Sequence, residues 1–218
     1  MKVTFDIHYI ARQGETLHLV SCDSALQWPM KCLSGNMWRV TITVKEPFAY
    51  RYCSKSDAGI RWEEGEAHTM LFFDGFNRLR FVDAWHEMDE TRLVNNLLSD
   101  NEERPLDAQH IVPKPNHAWI RVYAPLIRPS QVLALVGSGN SLGYWDIDKA
   151  LMMNCADYPY WTALFPLHQG ERVEYKFIVK TLDGDLVVWE SGGNHILSGT
   201  FTARETTIVS DLVMRTES

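Results

Sequence analysis

The stretches VEYKFIV (residues 173–179) and VWESGGN (residues 188–194) decide the fold class of this 218-residue chain. In the first stretch the odd-numbered side chains are apolar and face one side, while Glu174 and Lys176 face the other. Alternation with a period of two is typical of a half-buried β-strand. The second stretch ends in a glycine-rich turn, which predicts a second, shorter strand.

The same pattern occurs earlier in the chain, in FAYRY (residues 48–52) and IRWEEGEAH (residues 60–68). The basic residue of this earlier motif recurs 125 positions later, and its tryptophan recurs 127 positions later. A repeat of this length, with its order preserved, predicts two copies of one β-domain.

Between the two copies the strand pattern is interrupted. Residues 89–98 are compatible with a short helix, and the polar, proline-containing segment that follows is typical of a stiff connector. We therefore predict an all-β fold of two antiparallel, immunoglobulin-like β-sandwich domains, residues 1–85 and 117–218. A partly helical connector, residues 86–116, joins them.

Composition argues against several classes of function. The chain has 28 acidic residues and 21 Lys and Arg residues, and its net charge of −7 argues against a nucleic-acid partner, which needs clustered positive charge. No apolar run reaches the roughly 18 residues of a membrane-spanning helix, so no membrane partner is expected. Residues 1–10 do not resemble a signal peptide, so we expect a cytoplasmic protein or one from which an upstream signal has been removed. The four cysteines form no CxxC pair and are expected to be free, buried thiols.

Five side chains in the second copy suit the binding of a sugar. Trp145 lies in a turn sequence and Trp189 at a strand end. A flat indole covers the C–H face of a glucose ring and removes apolar area from water. Lys176, Glu190 and Asn194 can hydrogen-bond the sugar hydroxyls and fix the orientation of the ring. From composition alone, however, a strand-end tryptophan is more often a core residue.

Residues 118–215 resemble a family 20 carbohydrate-binding module, the starch-binding domain of amylolytic enzymes. Four stretches carry the resemblance and occur in the family's order: VGSGNSLGYW (136–145), YWTA (160–163), VEYKFI (173–178) and VWESGGN (188–194). The resemblance implies non-covalent binding of α-1,4-glucan, such as starch, glycogen or maltooligosaccharide, without a cofactor.

The resemblance also assigns roles to particular residues. It places the family's two sugar-stacking tryptophans at Trp145 and Trp189. Its lysine falls on Lys176, its glutamate on Glu190 and its asparagine on Asn194.

The family often has a second glucan site, which the resemblance places at Tyr158, Tyr160 and Trp161. The loop here is shorter than usual, and a tyrosine expected near Pro129 is missing. The alternative is that Trp161 is only a core residue.

Residues 2–85 resemble the same module more distantly. The corresponding side chains are Trp28 and Trp62 as platforms, Arg51 in place of the lysine, and Glu63 after the second tryptophan. Ala67 stands where the asparagine is expected. Three alternatives follow for this copy: it binds glucan weakly, binds it in another geometry, or serves as a spacer.

Two such modules in tandem resemble the N-terminal region of the 4-α-glucanotransferases of glycoside hydrolase family 77. In those enzymes a catalytic barrel follows the modules, and we expect that barrel to lie outside these 218 residues. The expected partners are therefore an α-glucan and a covalently linked catalytic domain. This chain itself is expected to contain no catalytic residues.

Three other functions compete with sugar binding. An enzyme active site is disfavoured because no two acidic residues are predicted to flank a pocket, as glycoside hydrolysis needs. A metal site is not expected because the eight histidines lack metal-ligand spacing, and Asp183 with Asp185 is only a weak calcium signal. The third alternative is a protein-interaction or docking module, since exposed tryptophans also suit protein contacts.

Overall fold

A computed structural model describes residues 1–86, 109–183, 187–199 and 204–215 of the chain. The chain divides into two compact units, Met1–Glu90 and Thr91–Ser218. Most of the predicted connector, including its helical segment, lies outside the described residues. The boundaries of that connector therefore stay a prediction.

The first unit consists of two sheets. Its described strands are β1 (Lys2–His8), β2 (Thr16–Ser21), β3 (Gln27–Pro29), β4 (Lys31–Cys32), β5 (Met37–Thr43), β6 (Ala49–Ser56), β7 (Gly59–Trp62), β8 (His68–Thr69) and β9 (Arg78–Ala84). One sheet has the order β9-β1-β5-β4, and the other has the order β3-β2-β6-β7 with β8 also paired to β6. Among the described strands, β7, which ends in Trp62, pairs only with β6.

The second unit also consists of two sheets. Its described strands are β10 (His117–Tyr123), β11 (Gln131–Gly137), β12 (Leu151–Met152), β13 (Tyr160–Pro166), β14 (Arg172–Thr181), β15 (Val187–Trp189), β16 (His195–Ser198) and β17 (Thr206–Val213). One sheet contains β13-β10-β17, and the other has the order β12-β11-β14-β15 with β16 also paired to β14. Short 3₁₀ turns at Asn140–Trp145 and Ile147–Lys149 connect β11 to β12.

The all-β prediction is confirmed, with one difference in strand direction. In each unit the first strand pairs in parallel with the last, β1 with β9 and β10 with β17, whereas the other described pairs are antiparallel. A parallel pair needs a long connection. Here the strands that lie between the first and the last strand of each unit form that connection. Alternation within a single strand does not reveal which strand pairs with it, or in which direction.

The two units also repeat a detail of their cores. The indole N–H of Trp38 on β5 donates to the carbonyl of Tyr9, with 3.1 Å between nitrogen and oxygen. The indole N–H of Trp161 on β13 donates in the same way to the carbonyl of Ala124, at 3.3 Å. In both units the acceptor lies two residues after the residue that pairs with the tryptophan. That residue is Ile7 in the first unit and Val122 in the second.

Buried apolar side chains from the inner strands form each core. In the first unit the rings of Phe5 on β1 and Tyr50 on β6 lie 4.9 Å apart between centroids, which joins the two sheets. Cys53 is buried as expected, but Cys22 and Cys32 are exposed free thiols. No helix within the described ranges is long and apolar enough to cross a membrane.

Candidate functional site

Trp145 lies in a loop whose backbone conformation is unusual. The φ angles of Gly143, Tyr144 and Trp145 are all positive, at 75°, 51° and 67°. Residues other than glycine rarely adopt positive φ angles, so the surrounding structure must stabilise this backbone conformation. The buried side chain of Leu142 anchors the loop, and the amide of Tyr144 donates to the carbonyl of Gly139 at 3.2 Å. As a result, Trp145 is held in place while 37% of its surface stays exposed.

Trp189 and Lys176 lie on the same face of the second sheet. Trp189 is opposite Ile178, and Lys176 is opposite Val136. Directly opposite residues share a face, and so do residues two apart on one strand. Trp189 is 44% exposed on this face. The predicted outward orientation of Lys176 agrees with this register.

A small apolar cluster attaches the Trp145 loop to that same face. Ile147 and Ala150 of the loop and Val187 of β15 pack on the buried residues Ala134, Val136 and Ile178. The ammonium group of Lys180 on β14 donates to the carbonyl of Ile147 at 2.8 Å. The loop that carries Trp145 and the strand that carries Trp189 are therefore packed on the same buried cluster.

Lys176 connects β14 to the turn that follows Trp189. Its Nζ donates to the carbonyl of Glu190 at 2.9 Å and to that of Gly192 at 2.6 Å. An ammonium group has three donors. Within the described residues two of them have protein acceptors, so one donor remains for a hydroxyl group at the edge of this turn.

The structure assigns Glu190 a role different from the expected hydrogen bonding to sugar. Its side chain is fully buried, and its oxygens are bonded by Arg215 Nε at 2.8 Å and His195 Nε2 at 3.0 Å. Burial alone would raise the pKa of Glu190, but the hydrogen bonds from His195 and Arg215 outweigh it and lower the pKa. Glu190 is thus an ionised buried group that fixes the strand end next to Trp189.

Asn194 is exposed in the turn between β15 and β16. Its Nδ2 lies 3.3 Å from Glu174 Oε2, at the long end of the range for a hydrogen bond. The same turn is held by Arg215, whose Nη2 donates to the carbonyl of Gly193 at 2.8 Å. The amide of Asn194 therefore faces solvent on a turn that Lys176 and Arg215 both anchor.

The predicted second site lacks an accessible tryptophan. Trp161 is only 1% exposed and is a core residue, as the alternative interpretation had it. Tyr160 is half-buried, with the guanidinium carbon of Arg121 3.8 Å from its ring centroid, and the hydroxyl of Tyr158 donates to the carbonyl of Pro125. Trp161 is buried because the β13 alternation places it on the core side. Any sugar contact here would depend on the tyrosines.

The first unit repeats the arrangement around Trp189. Trp62 at the end of β7 is opposite Cys53 and is 48% exposed, and Arg51 lies two residues before Cys53 on β6. Lys176 lies two residues before Ile178 in the same way. The side chain of Glu63 is fully buried, like that of Glu190, so its carboxylate cannot contact a sugar in this conformation.

Trp28 does not occupy the position expected from its sequence. It lies within strand β3 opposite Leu19, is half-buried, and its ring is 5.7 Å from that of Phe48. The connection from β2 to β3 is residues 22–26, whereas residues 138–150 connect β11 to β12. The first unit therefore lacks a loop like the one that carries Trp145.

Sequence reasoning missed several side chains of these sites. Tyr144, next to Trp145, is 67% exposed. Arg215 acts on Glu190 from 25 positions away, with no spacing that links the two, and His195, five positions after Glu190, was given no role. In the first unit, Glu63 and two histidines lie close together although the histidines are far apart in sequence. Only the strand pairing brings such residues into contact.

Comparison with known proteins agrees with the sugar-binding interpretation of the second unit. Residues 120–209 match the model of the starch-binding domain family CBM20. An 86-residue segment is 37% identical to a cyclomaltodextrin glucanotransferase of Bacillus sp. (strain 1-1), covering 38% of this chain and 12% of that protein. A 76-residue segment is 36% identical to Glucoamylase-1 of Schizophyllum commune, covering 33% of this chain and 13% of that protein. The chain thus spans a small part of the length of the curated relatives it matches.

Two solved structures also align with part of the chain. The family 20 module of the maltotetraose-forming amylase from Pseudomonas saccharophila aligns with a TM-score of 0.37 and 26% identity, covering 43% of this chain and 98% of that chain. The family 15 glucoamylase from Hypocrea jecorina aligns with a TM-score of 0.43 and 25% identity, covering 50% of this chain and 19% of that chain.

Proposed function

We propose that the second unit binds α-1,4-glucan non-covalently, with glucose units stacked on Trp145 and Trp189. The match of residues 120–209 to the starch-binding domain family supports the ligand class. A binding module of this kind needs no catalytic residue and no cofactor. The remaining donor of Lys176 and the exposed amide of Asn194 would hydrogen-bond hydroxyl groups of the same chain of sugars.

One observation carries this proposal: two exposed indoles lie on backbone segments that are both packed on the same apolar cluster. The loop of Trp145 and the strand of Trp189 both pack on the buried cluster of Ala134, Val136 and Ile178. Large apolar side chains that are exposed and yet fixed lose little conformational entropy when a ligand covers them. Stacking of a flat ligand on an aromatic side chain contributes about 1–3 kcal/mol. Two such contacts sum to about 2–6 kcal/mol, which corresponds to dissociation constants of roughly tens of micromolar at the upper end and weaker than millimolar at the lower end.

Calorimetric titration with maltoheptaose or β-cyclodextrin tests the proposal. We expect binding by the wild-type chain and loss of the second unit's binding in Trp189→Ala. Trp62→Ala is the comparison variant: Trp62 occupies the same strand-end position in the first unit with similar exposure, so its loss should leave binding by the second unit unchanged. Absence of binding by the wild-type chain, or unchanged binding by Trp189→Ala, would contradict the proposal.

We further propose that the first unit is a diverged copy of the second, so that the two form a tandem. The matching strand orders, the repeated parallel pair and the equivalent indole hydrogen bonds support this. Since it lacks the Trp145-type loop, we expect the first unit to bind glucan weakly through Trp62 and Arg51. A partial loss of binding stoichiometry in Trp62→Ala would indicate a binding copy, and no loss would indicate a spacer.

We also propose that the tandem belongs to a 4-α-glucanotransferase of glycoside hydrolase family 77 and acts in the cytoplasm. The support is the sequence resemblance of the tandem to the N-terminal region of such enzymes. There the modules would hold a polymeric glucan near the catalytic domain and raise its local concentration. The test is glucan disproportionation by the complete gene product. Absence of that activity would remove this assignment while leaving glucan binding intact.

A protein-docking function for the first unit is the alternative. The observation that favours it is strand β7, in which Ile60 and Trp62 are both about half exposed. Maltooligosaccharide should quench the fluorescence of exposed tryptophans if they bind sugar. A signal that persists in Trp189→Ala but is lost in the double variant Trp62→Ala/Trp189→Ala would assign sugar binding to Trp62 and count against docking.

A further inference from the structure

We infer that the first unit contains a binding site for a divalent transition-metal ion, formed by Glu63, His68 and His86. One ligand atom from each of the three side chains lies within 4.8 Å of the others. Zn²⁺ binds imidazole nitrogens and carboxylate oxygens, and two histidines with one glutamate and a water form a suitable set of four ligands. This inference does not depend on glucan binding.

The second unit shows what is special about this trio. There the buried Glu190 is held by His195 and by Arg215. In the first unit the glutamate and the first histidine recur at the same spacing, but His86 takes the place of the arginine, two residues after the last strand of its unit. A guanidinium group is permanently protonated and cannot bind a metal, whereas a neutral imidazole can.

The charge around Glu63 favours a bound cation. Its side chain is fully buried, its Oε1 accepts from the amide of Tyr52 at 2.7 Å, and its Oε2 lies 2.9 Å from His68 Nε2. Within the described residues, His68 is the group that pairs with this carboxylate. Burying a carboxylate without a lasting cation is costly. A divalent ion would supply the positive charge that Arg215 supplies in the second unit.

The surroundings also orient the two histidines. His86 Nδ1 lies 3.3 Å from the carbonyl of Glu66, and the tautomer that donates to this oxygen leaves Nε2 unprotonated. The ring of His68 is stacked between those of Tyr50 and His86, at centroid distances of 5.1 and 4.2 Å. Coordination by both imidazoles needs their ring planes to converge. We therefore expect the half-buried His86 to tilt out of this stack when the ion binds.

Calorimetric titration with ZnCl₂ tests the inference. It is made on the chain carrying Cys22→Ser and Cys32→Ser, because these exposed thiols would compete for zinc. We expect one equivalent of zinc to bind and to raise the melting temperature. His86→Arg, which copies the arrangement of the second unit, should weaken binding by at least about tenfold.

The reciprocal variant provides an independent readout. Arg215→His creates the same trio around Glu190, so a second equivalent of zinc is expected. Circular dichroism checks folding, and His86→Gln replaces His86→Arg if that variant does not fold. Absence of zinc binding up to about 1 mM, or equal binding by wild type and the His86 variant, would overturn the inference.

Discussion

At the scale of single residues, Gly143 determines whether the Trp145 loop can form. Its φ of +75° favours glycine, and a Cβ at this position would lie 2.8 Å from the carbonyl oxygen of Lys149. Backbone atoms cannot move away as the end of a flexible side chain can. The conformation of the next two residues, Tyr144 and Trp145, depends on this turn.

We therefore predict that Gly143→Ala destabilises the second unit by about 1–3 kcal/mol and weakens maltoheptaose binding. Gly170→Ala is the matched control, because Gly170 has the same φ of +75° but a Cβ at that position would have no neighbouring atom within 4 Å. Chemical denaturation and calorimetry measure the two effects. If both variants bind maltoheptaose equally well, the Lys149 contact does not control the loop.

A second prediction concerns the buried carboxylate of Glu190. Its pKa is lower in the folded chain than in the unfolded one, so its ionised form stabilises the fold above the unfolded pKa of about 4.3. That contribution is lost as the pH falls through the folded pKa. Glu190→Gln should therefore cost about 2–3 kcal/mol at pH 7 and progressively less in acid.

Urea denaturation at neutral and acidic pH measures this difference. Glu174→Gln is the control, since Glu174 forms a surface ion pair with Arg172 and should change stability by less than about 1 kcal/mol. A cost of Glu190→Gln that stays constant with pH would contradict the assigned role of the charge.

At the scale of structural elements, two lysines on β14 hold different parts of the site. Lys176 binds the turn after β15, and Lys180 binds the loop after Trp145. We predict that Lys176→Met increases amide hydrogen exchange at residues 190–194, whereas Lys180→Met increases it at residues 146–150. Both should weaken maltoheptaose binding, because each frees one platform. Mass spectrometry of exchanged peptides measures the effect, and the same exchange pattern in both variants would argue against separate anchors.

Strands β6 and β14 were predictable because residues 48–52 and 173–179 alternate, whereas the two-residue strands β4, β8 and β12 are too short to show an alternation. Trp145 and Trp189 were selected through the family resemblance, because a tryptophan at a strand end is by itself more often a core residue. The parallel pair of each unit was not predictable, because it joins strands at opposite ends of the unit. The same holds for the contact of Glu190 with Arg215. Trp28 lies on β3 and not in a loop like that of Trp145, because only residues 22–26 connect β2 to β3.

At the scale of the whole molecule, the chain carries a net charge of −7, while an α-glucan carries none. Contacts between uncharged sugar rings and indoles do not release counterions and are not screened by salt. A charged protein or nucleic-acid partner, by contrast, would bind more weakly as the ionic strength rises. The dependence of affinity on salt therefore separates the proposed ligand from charged alternatives.

We predict that the dissociation constant for maltoheptaose changes by less than about twofold between roughly 50 and 500 mM NaCl. The small remaining effect would come from Lys176, whose ammonium group is already held by two carbonyl oxygens. Calorimetry at several salt concentrations measures it, with sodium sulfate avoided because sulfate strengthens apolar association. A tenfold or larger loss of affinity over this range would mean that charge pairing, and not stacking on Trp145 and Trp189, dominates recognition by the second unit.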